Sequence, residues 1–238
     1  MKQQKKIKQK FKATPVLTML LQSNKLKIEF EVEYFKDYIF EIQLRLKKFQ
    51  TDFIKQTKID FNNDFGKDAN YFSIYENESN RVNENFPSLF YNSTFLALFS
   101  YFENCLNTQC QLLFKYKNRN VYLENIKEKN YIKKCKKYLV NEFEIDLCLI
   151  QKEWNLIMIY QKIRNCIVHN NSNIKVYKNK KIEEQPLFHF MKTSSNLTFD
   201  ITTGNFKIME ENFLLDFCDL LKIILITIYK QIELKEIS

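Results

Sequence analysis

A mainly α-helical fold is predicted by three observations. Glycine occurs twice and proline three times in 238 residues, too seldom for an architecture rich in hairpin turns. The chain is 45% apolar and carries 22 Phe and 13 Tyr, enough to bury a core without covalent staples. From Ile28 to Phe53 apolar residues recur in alternating steps of four and three, the seam of an amphipathic helix. The length suits a single domain.

Taken in order, residues 1–25 read as a basic N-terminal tail, with lysines at 2, 5, 6, 8, 10 and 12. Residues 26–58 form the long helix, whose first turns (Leu26 to Tyr34) also alternate apolar and charged residues in the manner of a strand. Residues 59–85 are rich in Asn, Asp, Glu and Ser, contain Gly66, and are predicted to be a polar connection. The core then occupies 86–238. Pro87 and Ser88 open a helix in which Phe95, Phe99, Phe102, Leu106 and Leu113 keep one apolar face, widened by Leu98, Cys105 and Leu112. A basic helix near 128–141 comes next, with Tyr131, Cys135, Tyr138 and Leu139 inward, and then a helix over about 147–169. Asn170 to Asn173 mark its end. The runs Ile174–Tyr177, Leu187–Phe190, Leu197–Ile201 and Phe206–Ile208 predict a small antiparallel ribbon turning at Thr203, Gly204 and Asn205. The last helix, about 210–233, is apolar nearly all round and is predicted to lie centrally in a bundle.

Several classes of function are disfavoured. Two histidines and six cysteines without a C-x-x-C pair offer no zinc site, so no metal and no cofactor is expected, and the thiols read as reduced. A Rossmann turn or P-loop needs more glycine than the chain has. The apolar run after Met19 is too short for a signal peptide, and Phe213–Tyr229 is broken by Asp216, Asp219 and Lys222, so neither secretion nor a membrane span is expected and the cytoplasm is the expected compartment. The net charge of +9 falls to about +3 without the six tail lysines. A second cluster, including Lys133, Lys134, Lys136 and Lys137, could face the phosphates of RNA, although a charge run is more often a solvated face.

What remains is the segment Lys162 to Asn170. At roughly 100° per residue, Asn165 and His169 share a helix face, and Arg164 lies about 140° round from His169, near enough to flank one site. The sequence reading puts Trp154 and Ile157 on the same stripe and sends Ile163 and Ile167 to the core. A guanidinium beside an imidazole suits phosphodiester chemistry, since one neutralises the anion and the other moves protons near neutral pH. The plainer alternative is a histidine favoured by the helix dipole and an arginine paired with a carboxylate. Cys166 reads as a buried thiol, and His189 as a surface residue in a strand.

The stretch Tyr160 to Ser172, YQKIRNCIVHNNS, resembles the arginine-polar-x-x-x-histidine signature of the HEPN (higher eukaryotes and prokaryotes nucleotide-binding) domains, with Asn165 at the polar position. Tyr91 to Cys110 resembles that family's first core helix, where Glu103 matches a frequent acidic residue. The basic helix, Glu153-Trp154 and the terminal apolar helix come in the family's order over roughly residues 86 to 235. The resemblance implies an up-and-down helical bundle with the ribbon inserted after the motif helix, and a homodimer that unites two Arg–His pairs in a composite active site. It also implies metal-independent endoribonuclease activity within a toxin–antitoxin or antiviral defence system. Arg164, His169 and Asn165 would then be catalytic, Glu103 supporting, and an antitoxin or defence protein a further partner. The alternative is a non-catalytic HEPN-like module that binds RNA or a nucleotide, or only dimerises.

Overall fold

The computed structural model describes residues 15–62, 69–116, 121–175 and 182–237; the tail lysines, Gly66, Val176 and Tyr177 lie outside them. The fold is mainly α, with one small antiparallel ribbon. Helices α1 (Pro15–Asn62), α2 (Ala69–Asn80), α3 (Phe86–Tyr116), α4 (Tyr131–Phe143), α5 (Gln151–Asn170), α6 (Pro186–Thr193) and α7 (Glu211–Ile237) carry the chain, and β1 (Leu197–Phe199) pairs with β2 (Phe206–Ile208). Among the described residues no helix is long and apolar enough to cross a membrane.

Contacts divide the chain into two compact units where length suggests one domain. The first comprises the chain up to Glu31, Phe102–Gln151 and the chain from Lys222; the second comprises Val32–Tyr101 and Lys152–Leu221. In the first unit, Leu17, Leu21 and Ile28 of α1 are buried, as are Phe102, Leu106 and Leu113 of α3 and Cys135, Tyr138 and Leu139 of α4. Helix α1 thus begins at Pro15, eleven residues before the expected start at 26, because Leu17 and Leu21 extend the buried face by two turns. Asn130 caps α4 by accepting from the Lys133 amide at 3.0 Å, so the basic helix starts later than 128. Buried Gln109 donates to the Leu225 carbonyl at 3.0 Å, and Gln231 exchanges two hydrogen bonds with the Asp146 backbone.

The second unit is held by aromatic side chains. Phe95 of α3 has ring centroids 5.9 Å from Tyr160 of α5 and 5.4 and 5.1 Å from Phe213 and Phe217 of α7; Tyr160 in turn lies 4.8 Å from Phe217. All four residues are at least 97% buried. Edge and tilted geometries predominate, as the ring quadrupole favours. A second row of rings joins the C-terminal part of α1 to α2 and α3, through Phe35–Tyr101, Tyr38–Phe90, Phe49–Phe86 and Phe53–Tyr75.

That row accounts for a departure from expectation. The described part of the 59–85 connection is helical: α1 runs to Asn62, α2 covers Ala69–Asn80, and a π turn, Arg81–Asn85, leads into α3. Tyr75 stacks on Phe53 and Val82 is buried, so a segment polar in composition gains its helix from few but well-placed apolar contacts. Pro87 does not open the next helix from a loop. It lacks the N–H that would bond the Asn83 carbonyl, and the widened turn before it, closed by the Phe86 amide on the Arg81 carbonyl, is where the ladder yields.

The Leu187–Phe190 run is likewise not a strand. Pro186 at the first helical position and the spacing of buried Leu187, Phe188 and Met191 make it α6, with His189 exposed on that helix. The two remaining runs pair as expected, Leu197 opposite Ile208 and Phe199 opposite Phe206, but the turn between them falls at Ile201–Thr203, ahead of the expected Thr203, Gly204 and Asn205, because Asn205 already bridges to Asn173.

Phe95→Ala should cost roughly 3–5 kcal/mol, the usual penalty for emptying a large buried aromatic site. Leu149→Ala, at a side chain 77% exposed, should stay within about 0.5 kcal/mol. Urea unfolding monitored by circular dichroism distinguishes the two; equal losses would mean that the ring cluster is not a centre of stability.

Candidate functional site

Helix α5 belongs, from Lys152 on, to the second unit. Trp154, Ile157, Tyr160, Ile163 and Cys166 are buried along it, at helical spacing, which fixes its inward face. Trp154 and Ile157 therefore belong to the core and not to the polar stripe on which the sequence reading places them, whereas Ile167 is only half-buried. Arg164 and Asn165 are half-buried beside this face, and His169 is exposed one turn beyond Asn165.

The guanidinium donates through Nη1 to Asn165 Oδ1 at 3.3 Å. Among the described residues no carboxylate lies within ion-pair distance of Arg164, so the plain salt-bridge account of this arginine finds no partner there. Among the described residues the bond to Asn165 is the one side-chain hydrogen bond of the guanidinium, whose other N–H donors have no protein partner there. Cys166 points the other way: it is fully buried, and burial pushes its thiol up to about 11, partly offset by a hydrogen bond from Asn170. It is a core thiol, turned away from the polar arc of the helix.

The end of α5 is fixed by its own turn and by the ribbon. Asn171 and Ser172 adopt left-handed conformations (φ 49° and 57°), and the Ser172 amide reaches back to the Cys166 carbonyl at 3.0 Å, the closing bond of a Schellman-type cap. The Phe206 amide then donates to the Ser172 carbonyl at 3.0 Å, and the Ile174 amide to the Gly204 carbonyl at 3.0 Å, while Asn173 and Asn205 form a bridge. Asn173 Nδ2 donates to the Thr203 carbonyl and to Asn205 Oδ1, at 3.0 and 2.7 Å. Three residues after His169, the motif helix is thus tied to the β1–β2 turn. Gly204 is required in that turn: its φ is +78°, and a Cβ would lie 2.6 Å from Lys175 Cγ.

The other expected site residues lie in the first unit. Glu103 is half-buried on α3, and it faces α4. Burial, with the charges of Cys135, Cys110 and Glu103 behind it, pushes the Tyr131 phenol up. Among the four lysines assigned to RNA, Lys137 pairs with Glu128 at 3.0 Å and Lys136 bonds Gln151 Oε1 at 3.2 Å; Lys133 is exposed and Lys134 half-buried. The cluster is in part a solvated face satisfied by its own neighbours. No three metal-ligating side chains converge among the described residues.

A surface cleft of about 440 Å³ was not anticipated from the sequence. It lies on the ribbon, lined by Glu84, Phe199, Asp200, Asn205, Phe206 and Lys207 among others. A turn next to Gly204 was legible, but nothing in the linear pattern joins Glu84 to it.

Gly204→Ala should destabilise by about 1–3 kcal/mol through the positive φ alone, visible as a lower midpoint in urea and as faster amide exchange at Ile174 and Phe206. Unchanged exchange would detach the ribbon from the helix end. Alkylation of the folded protein near pH 8, mapped by mass spectrometry, should leave Cys166 unmodified. The chain matches no family model, no curated protein and no solved structure.

Proposed function

We propose that the protein is a metal-independent endoribonuclease of a toxin or antiviral defence system, cleaving RNA by attack of a ribose 2′-hydroxyl to leave a 2′,3′-cyclic phosphate. The observation that carries the reading is the state of Arg164: half-buried on a packed helix, steered by Asn165, without a carboxylate partner among the described residues, and within two turns of an exposed imidazole. The likeness of Tyr160–Ser172 to the HEPN signature adds to it.

In this reading His169 accepts the 2′-hydroxyl proton as the 2′-oxygen bonds phosphorus and the bond from phosphorus to the 5′-oxygen breaks. A second imidazole, supplied by a second copy of the chain in a homodimer, gives its proton to the departing 5′-oxygen. Arg164 holds the non-bridging oxygens, whose charge rises in the pentacovalent transition state, and Asn165 keeps the guanidinium aimed. Glu103 would keep the supporting role that the resemblance implies, outside the proton transfers themselves. An antitoxin or other defence protein would cover the same helix end.

His169→Ala should lower the cleavage rate roughly 10²- to 10⁴-fold and Arg164→Ala roughly 10²- to 10³-fold. His169→Ala should change the unfolding free energy by no more than about 0.5 kcal/mol, since His169 is exposed, and Arg164→Ala by about 0.5–1.5 kcal/mol, the worth of its hydrogen bond to Asn165. Rates on a labelled single-stranded RNA, measured beside urea melts of the same preparations, check both. Lost stability with unchanged rate would make the residues structural.

A further inference from the structure

Helix α1 is apolar on two sides where it begins. Leu17, Leu21 and Ile28 are buried in the first unit, whereas Val16, Met19, Leu26 and Phe30 are 57, 73, 54 and 62% exposed. At about 100° per residue these four fall within roughly 80° of one another, on the side of the helix away from the buried residues. Ser23 is the one polar residue in that arc. Glu29 and Glu31 lie about 60° outside it on either side, and Glu31 is paired with Lys27 at 3.6 Å. Single exposed apolar residues are ordinary on a protein surface; four aligned along one helix face make a surface for a partner.

The chemistry of the neighbouring residues selects the partner. The alternating steps of three and four that join Val16, Met19, Ser23, Leu26 and Phe30 reach Glu33 and Asp37 next, and only then Phe40 and Leu44. A second copy of the chain paired along this seam would set carboxylates in the middle of it, where a stable pairing needs apolar residues over about three or four heptads. RNA fits no better, because aliphatic side chains offer nothing to a phosphate. Residues 1–14, directly ahead of α1, contain six lysines, at 2, 5, 6, 8, 10 and 12, and no acidic residue. An apolar arc next to a polybasic segment matches a surface that is anionic outside and apolar just beneath, which is the headgroup boundary of an acidic lipid bilayer.

We propose that α1 from Val16 to Phe30 docks on an anionic lipid surface, its exposed apolar arc entering the headgroup boundary and the lysines of residues 1–14 meeting the acidic headgroups. Either signal alone is weak, and the two together make a reversible anchor. The helix lies on the bilayer without crossing it, in keeping with the absence of a spanning helix among the described residues. The proposal is independent of the ribonuclease reading.

Full-length protein is mixed with vesicles of phosphatidylcholine, alone or with phosphatidylserine, and floated on a density gradient. Wild type should rise with the phosphatidylserine vesicles, much less with phosphatidylcholine alone, and less again as salt is added. Lys5→Gln, Lys6→Gln, Lys8→Gln and Lys10→Gln together should weaken binding by about a hundredfold or more, at roughly fivefold per lysine. Leu26→Glu with Phe30→Glu, both at exposed positions, should weaken it by about tenfold or more and leave the urea midpoint little changed. Wild type that floats with neither kind of vesicle overturns the proposal. So does a Leu26→Glu/Phe30→Glu variant that floats as well as wild type, since the lysines alone would then be the contact. A lipid-free oligomer that the same two substitutions dissociate in sedimentation velocity assigns the face to a second copy and overturns it. A protein that ignores vesicles and binds single-stranded RNA through the four lysines overturns it equally.

Discussion

The placement of the motif helix depends on one packing event, the meeting of Tyr160 with Phe95, Phe213 and Phe217. Tyr160 lies one turn before Arg164, so the rings that lock it also set the azimuth of the whole helix. Burial of Tyr160, Ile163 and Cys166 turns Arg164, Asn165 and His169 to the remaining arc. A helix end presented to solvent is free to fray; here the left-handed pair Asn171–Ser172 and the ribbon bonds beyond it close the last turn. Core and cap together make a short polar segment a defined site.

The ribbon that completes this cap is a small structure with many constraints. Three register pairs, a glycine at positive φ and an aspartate accepting three bonds within its own turn hold it, and Asn173 ties it to the helix end. Side-chain amides and hydroxyls replace the apolar contacts that a two-stranded sheet of this size cannot supply.

Periodicity decides how much of this was legible in the sequence. The faces of α3 and α7 were legible because Phe95, Leu98, Phe99, Phe102 and Leu106, like Phe213, Leu214, Phe217 and Leu221, repeat at helical spacing and are all buried. The end of α5 was legible from its run of Asn and Ser, and the ribbon turn from Gly204. Helix α2 was not, since its stability comes from Tyr75 meeting Phe53, a contact between distant positions. The same holds for α6, where four apolar-rich residues fit either a strand or one helical turn, and tertiary burial of Leu187 and Met191 decides. The division into two units, with Glu103 and the α4 lysines in one and Arg164 in the other, has no local signal at all.

The ribonuclease account makes its most direct commitment in the chemistry of the cut. Incubation of a defined single-stranded RNA with purified protein in EDTA, and then mass spectrometry of the fragments, reads the ends themselves. The account requires 2′,3′-cyclic phosphate on the upstream fragment and a 5′-hydroxyl on the downstream one. Fragments ending in 3′-hydroxyl and 5′-phosphate, or no fragments under conditions where the protein is folded and dimeric, would contradict it.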